Sequence, residues 1–391
     1  MSDTAWRHPV APISAEERQG RIGRLRGSME EHGVGGVLLG STESLRYFTG
    51  LVWRPSERLL GALITPKSLT YIVPGFERTK VESMPIIPGA IATWEEHESP
   101  YLLVRDLLKP NHRLALDEQL PLFAYHGLAA AIGSDRLIDA GPLTRPLRAR
   151  KSPAELALMA QAKTMTIEVH RRAHAALQPG MRASEVVAFV DSQHRDLGAA
   201  GSSFCIVSFG VATSLPHGAD GDPALQRGDL ILVDTGCRLD GYHSDITRTY
   251  MIDEPTAEIE RIWRIQKEAQ AAAFAAAQVG ATCESVDRAA RAVIEANGLG
   301  PDYRLPGLPH RTGHGIGLEI HEAPNLVRGD GTALAPGMCF SNEPMIVVPD
   351  QFGVRLEDHF YMTEDGARWF TEPQASLTEP FAGVAPFPPR A

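Results

Sequence analysis

Residues 230–250, Leu-Ile-Leu-Val-Asp-Thr-Gly-Cys-Arg-Leu-Asp-Gly-Tyr-His-Ser-Asp-Ile-Thr-Arg-Thr-Tyr, constrain the fold more than any other stretch. Leu230 to Val233 is a β-rich apolar run that ends on a carboxylate, Asp234. A turn signal follows at Asp240-Gly241, and then a second β-prone run, Tyr242 to Tyr250, carries Asp245. The pattern predicts a β-hairpin with one acid on each strand. A loop of Arg238 to Gly241, centred between Leu239 and Asp240, would set Asp234 directly opposite Asp245. Two close carboxylates repel unless a cation sits between them. Taken alone, the pair reads more readily as a solvated hairpin with incidental acids.

A second stretch repeats the arrangement. Cys339 to Val348 is β-prone and carries Glu343, Pro349 to Gly353 is a turn, and Val354 to Met362 carries Glu357. A three-residue loop, Pro349-Asp350-Gln351, would oppose the two glutamates. Four buried carboxylates would hold a charge of about −4, at a desolvation cost of several kcal/mol each. Two divalent cations would neutralise them. Between the hairpins, Thr312-Gly313-His314-Gly315 places glycines on both sides of an imidazole, so the backbone can approach a crowded site closely. One imidazole with four carboxylates is a hard, oxygen-rich donor set that favours manganese, cobalt or zinc.

The rest of the chain supplies the frame, and its class is α+β. Residues 14–32 read as a helix stopping at Gly33, followed by short apolar strands at 37–39, 60–65 and 69–73. This alternation continues to about Leu147 and predicts a small α/β domain over 1–148. Ser152-Pro153-Ala154-Glu155 is a capping box that opens the second domain, 149–391. Helices are expected to about Leu177, over 183–197, over 259–278 and over 285–297. Two helices and then a hairpin thus occur twice, at 152–250 and 256–362, as a repeat of element type without an evident repeat of residues. The Pro-rich segment after Leu377 reads as extended. A net charge of −10 with no basic block argues against nucleic acid, and no apolar run is long enough for a membrane span. Cys205, Cys237, Cys283 and Cys339 form no C-x-x-C pair, which fits a reducing, cytoplasmic setting.

The set Asp234, Asp245, His314, Glu343 and Glu357 resembles the five-ligand dinuclear site of the pita-bread metallopeptidases, which include methionine aminopeptidase, prolidase, Xaa-Pro aminopeptidase and the metal-free creatinases. Tyr47-Phe48-Thr49-Gly50 and Lys151-Ser152-Pro153 look like the two-domain prolidase and creatinase branch. The resemblance implies a small creatinase/prolidase-like N-terminal domain, a pita-bread catalytic domain, two divalent metal ions (manganese first, cobalt or zinc as alternatives) and a homodimer. It implies that Asp234 and Glu357 bridge the metals, that Asp245 binds one, and that His314 and Glu343 bind the other. Glu343 would also carry a proton to the leaving amine. His217 and His321 would flank the scissile bond and stabilise its oxyanion, while His310 and Arg355 would orient the proline side. The implied activity is an Xaa-Pro dipeptidase acting on small peptides. The alternatives are an Xaa-Pro aminopeptidase, a metal-free creatinase-like C–N hydrolase and a non-catalytic binding module. Trp53 and Arg54 are candidates for capping the far end of the cleft.

Overall fold

A computed structural model of the chain describes residues 10–385 and residue 387. They fall into two compact units, Ile13–Arg148 and the remainder.

In the first unit, short strands without polar interruption form a mixed six-stranded sheet. Its spatial order is 90–94, 69–74, 61–64, 36–39, 114–116 and 137–139. Leu38, Leu63, Ile72, Leu114 and Leu116 are buried in it with Val104 and Leu128 from the flanking helices. The helix Ala15–Glu31 starts where Ser14 accepts from the Glu17 amide, as its sequence requires.

The second unit opens with the expected capping box. Ser152 accepts from the Glu155 amide, and Glu155 accepts from the Ser152 amide, starting the helix Pro153–Ala176. That helix and Ala183–Leu197 bury Met165, Val169, Val186 and Val190 against the strands Ser202–Phe209 and Ile231–Leu239. The helices Ala257–Ala276 and Cys283–Ala296 do the same for the second half, against Phe340, Ile346, Val354 and Phe360. The tail is not extended: its described residues turn at Glu379–Ala382 and Phe381–Val384, and Phe381 meets His174 edge-on.

The two halves do repeat at the level of residues, contrary to the sequence reading. Gln178-Pro179-Gly180 and Gln278-Val279-Gly280 each end a helix, with the glycines at φ 95° and 84°. Gly180 donates to the carbonyl of Leu225 and Gly280 to that of Leu334, both at 2.8 Å, and the isolated bridges Arg182–Ala224 and Thr282–Ala333 match. The echo is easily missed because only residues fixed by backbone geometry are retained. Counting nine residues on from Leu225 and Leu334 reaches Asp234 and Glu343, which are therefore structural counterparts.

The first hairpin differs in register from the expectation. Leu239 pairs with Tyr242, so the loop is the two-residue turn Asp240-Gly241, with φ 43° and 86°. These angles suit a type I′ turn, whose twist matches that of the strands. Asp234 then pairs with Thr247, and Asp245 lies across from Gly236. The shift is by an even count, so both acids keep one face as diagonal neighbours. Gly236 is needed for this approach: a Cβ there would stand 1.9 Å from the Ser244 carbonyl oxygen. Gly236→Ala is expected to cost about 1–3 kcal/mol in chemical denaturation, and an unchanged midpoint would refute the close packing.

The second hairpin has the expected loop. Val348 pairs with Phe352 around Pro349-Asp350-Gln351, with Asp350 at φ 58°. The ladder 345–348/352–355 and the ladder 339–342/358–361 share one register, and Glu343 and Glu357 face each other in the gap between them.

Buried histidines in the first half give the fold an acid-side weakness. His194 lies between Thr166 Oγ1 and Ser202 Oγ, at 3.0 and 2.9 Å, and burial lowers its pKa to about 4. His170 Nε2 donates to the Ile246 carbonyl at 3.0 Å, and burial followed by the Arg248 charge lowers its pKa to about 3. Both folded values lie below the unfolded value of about 6.5. Between these values the unfolded chain binds more protons, so stability is present in full above pH ~6.5 and is lost as pH falls toward 4. For metal-free protein, the drop in unfolding free energy from pH 7 to pH 5 should be smaller in His194→Gln than in the parent. Equal drops would show that His194 does not contribute.

Candidate metal centre

The five residues come from separate segments and converge. His314 sits on Gly313–Gly315, a strand held between 322–326 and 339–342. Its amide donates to Ser341 Oγ at 2.9 Å, and its Nδ1 lies 2.9 Å from the Gly315 carbonyl. A carbonyl can only accept, so Nδ1 carries a proton and Nε2 faces the site, where it offers a lone pair to a cation or, when the ring is charged, donates to Glu343. That Nε2 is 3.2 Å from Glu343 Oε1 and 3.8 Å from Asp245 Oδ2. Glu343 is held by its amide, which donates to the Thr312 carbonyl, and Glu357 by its amide, which donates to that of Thr247. Thr247 Oγ1 also donates to Glu357 Oε2 at 2.8 Å.

The electrostatics are those of a site short of positive charge. Burial raises the Asp245 carboxyl well above its ordinary value, and repulsion from Asp234 and Glu343 adds to this. Glu357 is pushed the same way by burial and then by Asp245, Glu343 and Asp234. Burial raises Asp234 too, offset in part by Arg355. Burial likewise opposes ionisation of Glu343, but the His314 hydrogen bond and charge bring it down to about 2. No donor among the described residues reaches Asp234 Oδ1 or Glu357 Oε1, although both atoms are buried. Such oxygens are expensive to leave unpaired, and a cation would satisfy both. Three clusters of closely spaced donor atoms occur: Asp245–His314–His321, Asp245–Glu357–His359 and His314–Glu343–Glu357. Asp245, His314 and Glu357 each belong to two of them.

The accessory residues divide. His321 is exposed, its ring edge-on to His314 at 4.3 Å, and burial of its inner part followed by the His314 charge lowers it to about 4. His310 is half-buried, with Nδ1 2.7 Å from the Arg311 carbonyl, and its own carbonyl accepts from Arg291 at 2.6 Å. His217 is exposed on the loop after Pro216, near enough to His321 for its charge to help lower the His321 value. Arg355 is buried and committed within the protein. Its guanidinium donates to Asp234 Oδ2 at 2.6 Å, to the Pro216 carbonyl at 3.0 Å and to Thr247 Oγ1 at 3.0 Å. It therefore ties the His217 loop to Asp234. Trp53 and Arg54 lie on the other unit, beside a groove with Val52, Phe76, Lys80 and Met84, and Lys80 Nζ stands 4.2 Å from the Trp53 ring centre. Thr247 and Ser341 escaped the sequence reading. For Thr247 a signal existed, since it lies two residues beyond Asp245 on the same strand face.

Residues 157–364 match metallopeptidase family M24, and residues 21–150 match the creatinase/prolidase N-terminal domain. The chain belongs to family M24. It is 29% identical to the Xaa-Pro dipeptidase of Pyrococcus furiosus over 360 residues, covering 91% of this chain and 99% of that one. Among solved structures it is similar to dipeptidase PepE from Mycobacterium ulcerans, with a TM-score of 0.86, 31% identity and coverage of 93% and 97% of the two chains. Recombinant prolidase from Thermococcus sibiricus gives 0.84 at 27% identity, covering 94% and 99%. The protein is thus a peptidase with a creatinase/prolidase-type N-terminal domain and a pita-bread catalytic domain, as its sequence implied, and family membership implies divalent metal ions. No helix among the described residues is long and apolar enough to cross a membrane.

Proposed function

We propose that this M24 peptidase is a dinuclear-metal Xaa-Pro dipeptidase. The observation that carries the reading is the convergence of Asp234, Asp245, His314, Glu343 and Glu357 with two buried carboxylate oxygens left without donors. Those five residues would hold two cations, with manganese preferred for an oxygen-rich set. Asp245, Glu357 and His314 each belong to two of the donor clusters, while Asp234 lies against Arg355. The chemistry supplied there by divalent cations is acidification of a water and polarisation of the scissile carbonyl.

The remaining steps belong to side chains. Glu343 has the most solvent-open carboxylate of the set, with 14% of its side chain exposed, and it takes the proton of the attacking water and delivers it to the leaving nitrogen. His321 is neutral at pH 7 and, with His217, donates toward the developing oxyanion. His310 contacts the proline side, and Arg355 acts there by fixing Asp234 and the Pro216-His217 loop. A prolyl amide lacks an N–H, and this chemistry requires none. The division into domains 1–148 and 149–391, a cytoplasmic location, small peptides as substrates and a homodimer belong to the same proposal. Four cysteines without disulfides support the location.

Turnover of Ala-Pro and Ala-Pro-Ala with manganese present is the test. The dipeptide should be cleaved at least about tenfold faster, about 1.4 kcal/mol in the barrier. Faster tripeptide cleavage would make the protein an Xaa-Pro aminopeptidase. Full activity after chelation and removal of metal would favour the creatinase-like alternative.

A further inference from the structure

One buried side chain among the acids has no place in the five-residue set. His359 is fully buried on the strand Asp358–Thr363, two residues beyond Glu357, so strand alternation turns both to the same face. It pairs across the sheet with Ser341, the residue whose hydroxyl holds the His314 amide. Neither ring nitrogen of His359 has a hydrogen-bond partner. Lys163, whose charge reaches the ring, donates instead to the His243 carbonyl at 3.0 Å. A buried imidazole in this state leaves both a donor and a lone pair unused, which native interiors avoid.

The distances indicate what the lone pair is for. His359 Nε2 is 3.6 Å from Glu357 Oε1, itself without a donor, and a ring nitrogen lies within 4.8 Å of carboxylate oxygens of both Asp245 and Glu357. A separation of 3.6 Å exceeds the ordinary N–H···O range of about 2.7–3.2 Å. It is the separation expected of two donor atoms that each stand about 2.0–2.2 Å from one cation.

We propose that His359 is a sixth residue of the metal centre, its Nε2 binding the cation that Asp245 and Glu357 hold. The proposal rests on the dinuclear reading above. It adds a second imidazole to the donor set, which strengthens binding of cobalt and zinc relative to manganese.

Metal-free full-length protein titrated with Mn²⁺ provides the test, with affinity read by calorimetry and bound nitrogens counted by pulsed electron paramagnetic resonance. The count is made in the parent and in His321→Ala, which removes the exposed imidazole beside His314. Two coupled nitrogens are expected in His321→Ala. Adding His359→Gln should leave one and weaken the affected site at least about tenfold. In His359→Ala, free imidazole should restore the second coupling. One nitrogen in His321→Ala with His359 present overturns the assignment even if the His359 variants do not fold. So does unchanged affinity in a folded His359 variant. A parent protein that binds no Mn²⁺ overturns the dinuclear reading itself.

Discussion

Asp245→Ala is expected to remove bound metal and to lower Xaa-Pro hydrolysis by at least ~10³-fold, equivalent to ~4 kcal/mol of transition-state stabilisation. Asp245 belongs to two of the three donor clusters, so its loss takes a donor from both. The fold around it should survive. The neighbouring Ser244 hydroxyl remains bonded to Thr166 and to the Cys237 amide, at 2.7 and 2.8 Å, and these contacts do not involve the Asp245 side chain. In metal-free protein the substitution removes a carboxyl that burial, and then repulsion from Asp234 and Glu343, holds well above its ordinary value. Thermal stability without metal should therefore not fall. The stabilisation that added Mn²⁺ gives the parent, which grows with ligand concentration over Kd, should disappear. Metal content, turnover and melting with and without Mn²⁺ measure the three effects. Normal metal content with normal turnover would refute the role given to Asp245.

The carboxylates were readable because acids in β-prone runs are chemically conspicuous and because hairpin parity puts them on a face. The first register departs from the expected one because nothing requires Asp234 and Asp245 to stand directly opposite. The backbone instead follows the Asp240-Gly241 turn, and a diagonal pair serves as well. The second loop was readable to the residue, since Asp350 tolerates a left-handed conformation and the ladder on either side is regular. Arg355 was visible as a charge near Glu357, but its bonds to Asp234 and to Pro216 span 121 and 139 residues. No local spacing reports such partners. Ser341 and His359 acquire their meaning in the same way, from a partner brought in by the sheet, whereas Thr247 had a local signal in its spacing from Asp245. The repeat shows the complementary case. Its glycine turns are local, and Gly180 and Gly280 could have been aligned from sequence once the helix ends were placed.

Arg248→Met is expected to destabilise the folded protein by ~3–5 kcal/mol, because it strands a buried carboxylate. Arg248 and Asp358 are almost wholly buried, with Nη2 2.7 Å from Oδ1, on strands from the two halves of the repeat. Each is the immediate neighbour of a site residue. Arg248 follows Thr247, and Asp358 follows Glu357, so the ion pair lies behind the contact between Thr247 and Glu357. The Arg248 guanidinium also donates to the Glu357 carbonyl at 2.9 Å. Its loss would leave Asp358 with the Gln270 amide at 3.1 Å and only the weaker attraction of the Lys267 charge. Even with Arg248 present, burial outweighs its attraction and holds the Asp358 carboxyl above its ordinary value. The intact pair is therefore not a large net gain, and removing both charges should cost far less than removing one. Arg248→Met with Asp358→Leu is expected to unfold within ~1–2 kcal/mol of the parent, recovering most of the loss. Urea unfolding of the parent, both single variants and the double variant gives the coupling directly. If Arg248→Met alone unfolds like the parent, the pair does not hold the two halves together. If the double variant is stable but its Mn²⁺ affinity is reduced, the clamp acts on the site through the Glu357 backbone and not through fold stability.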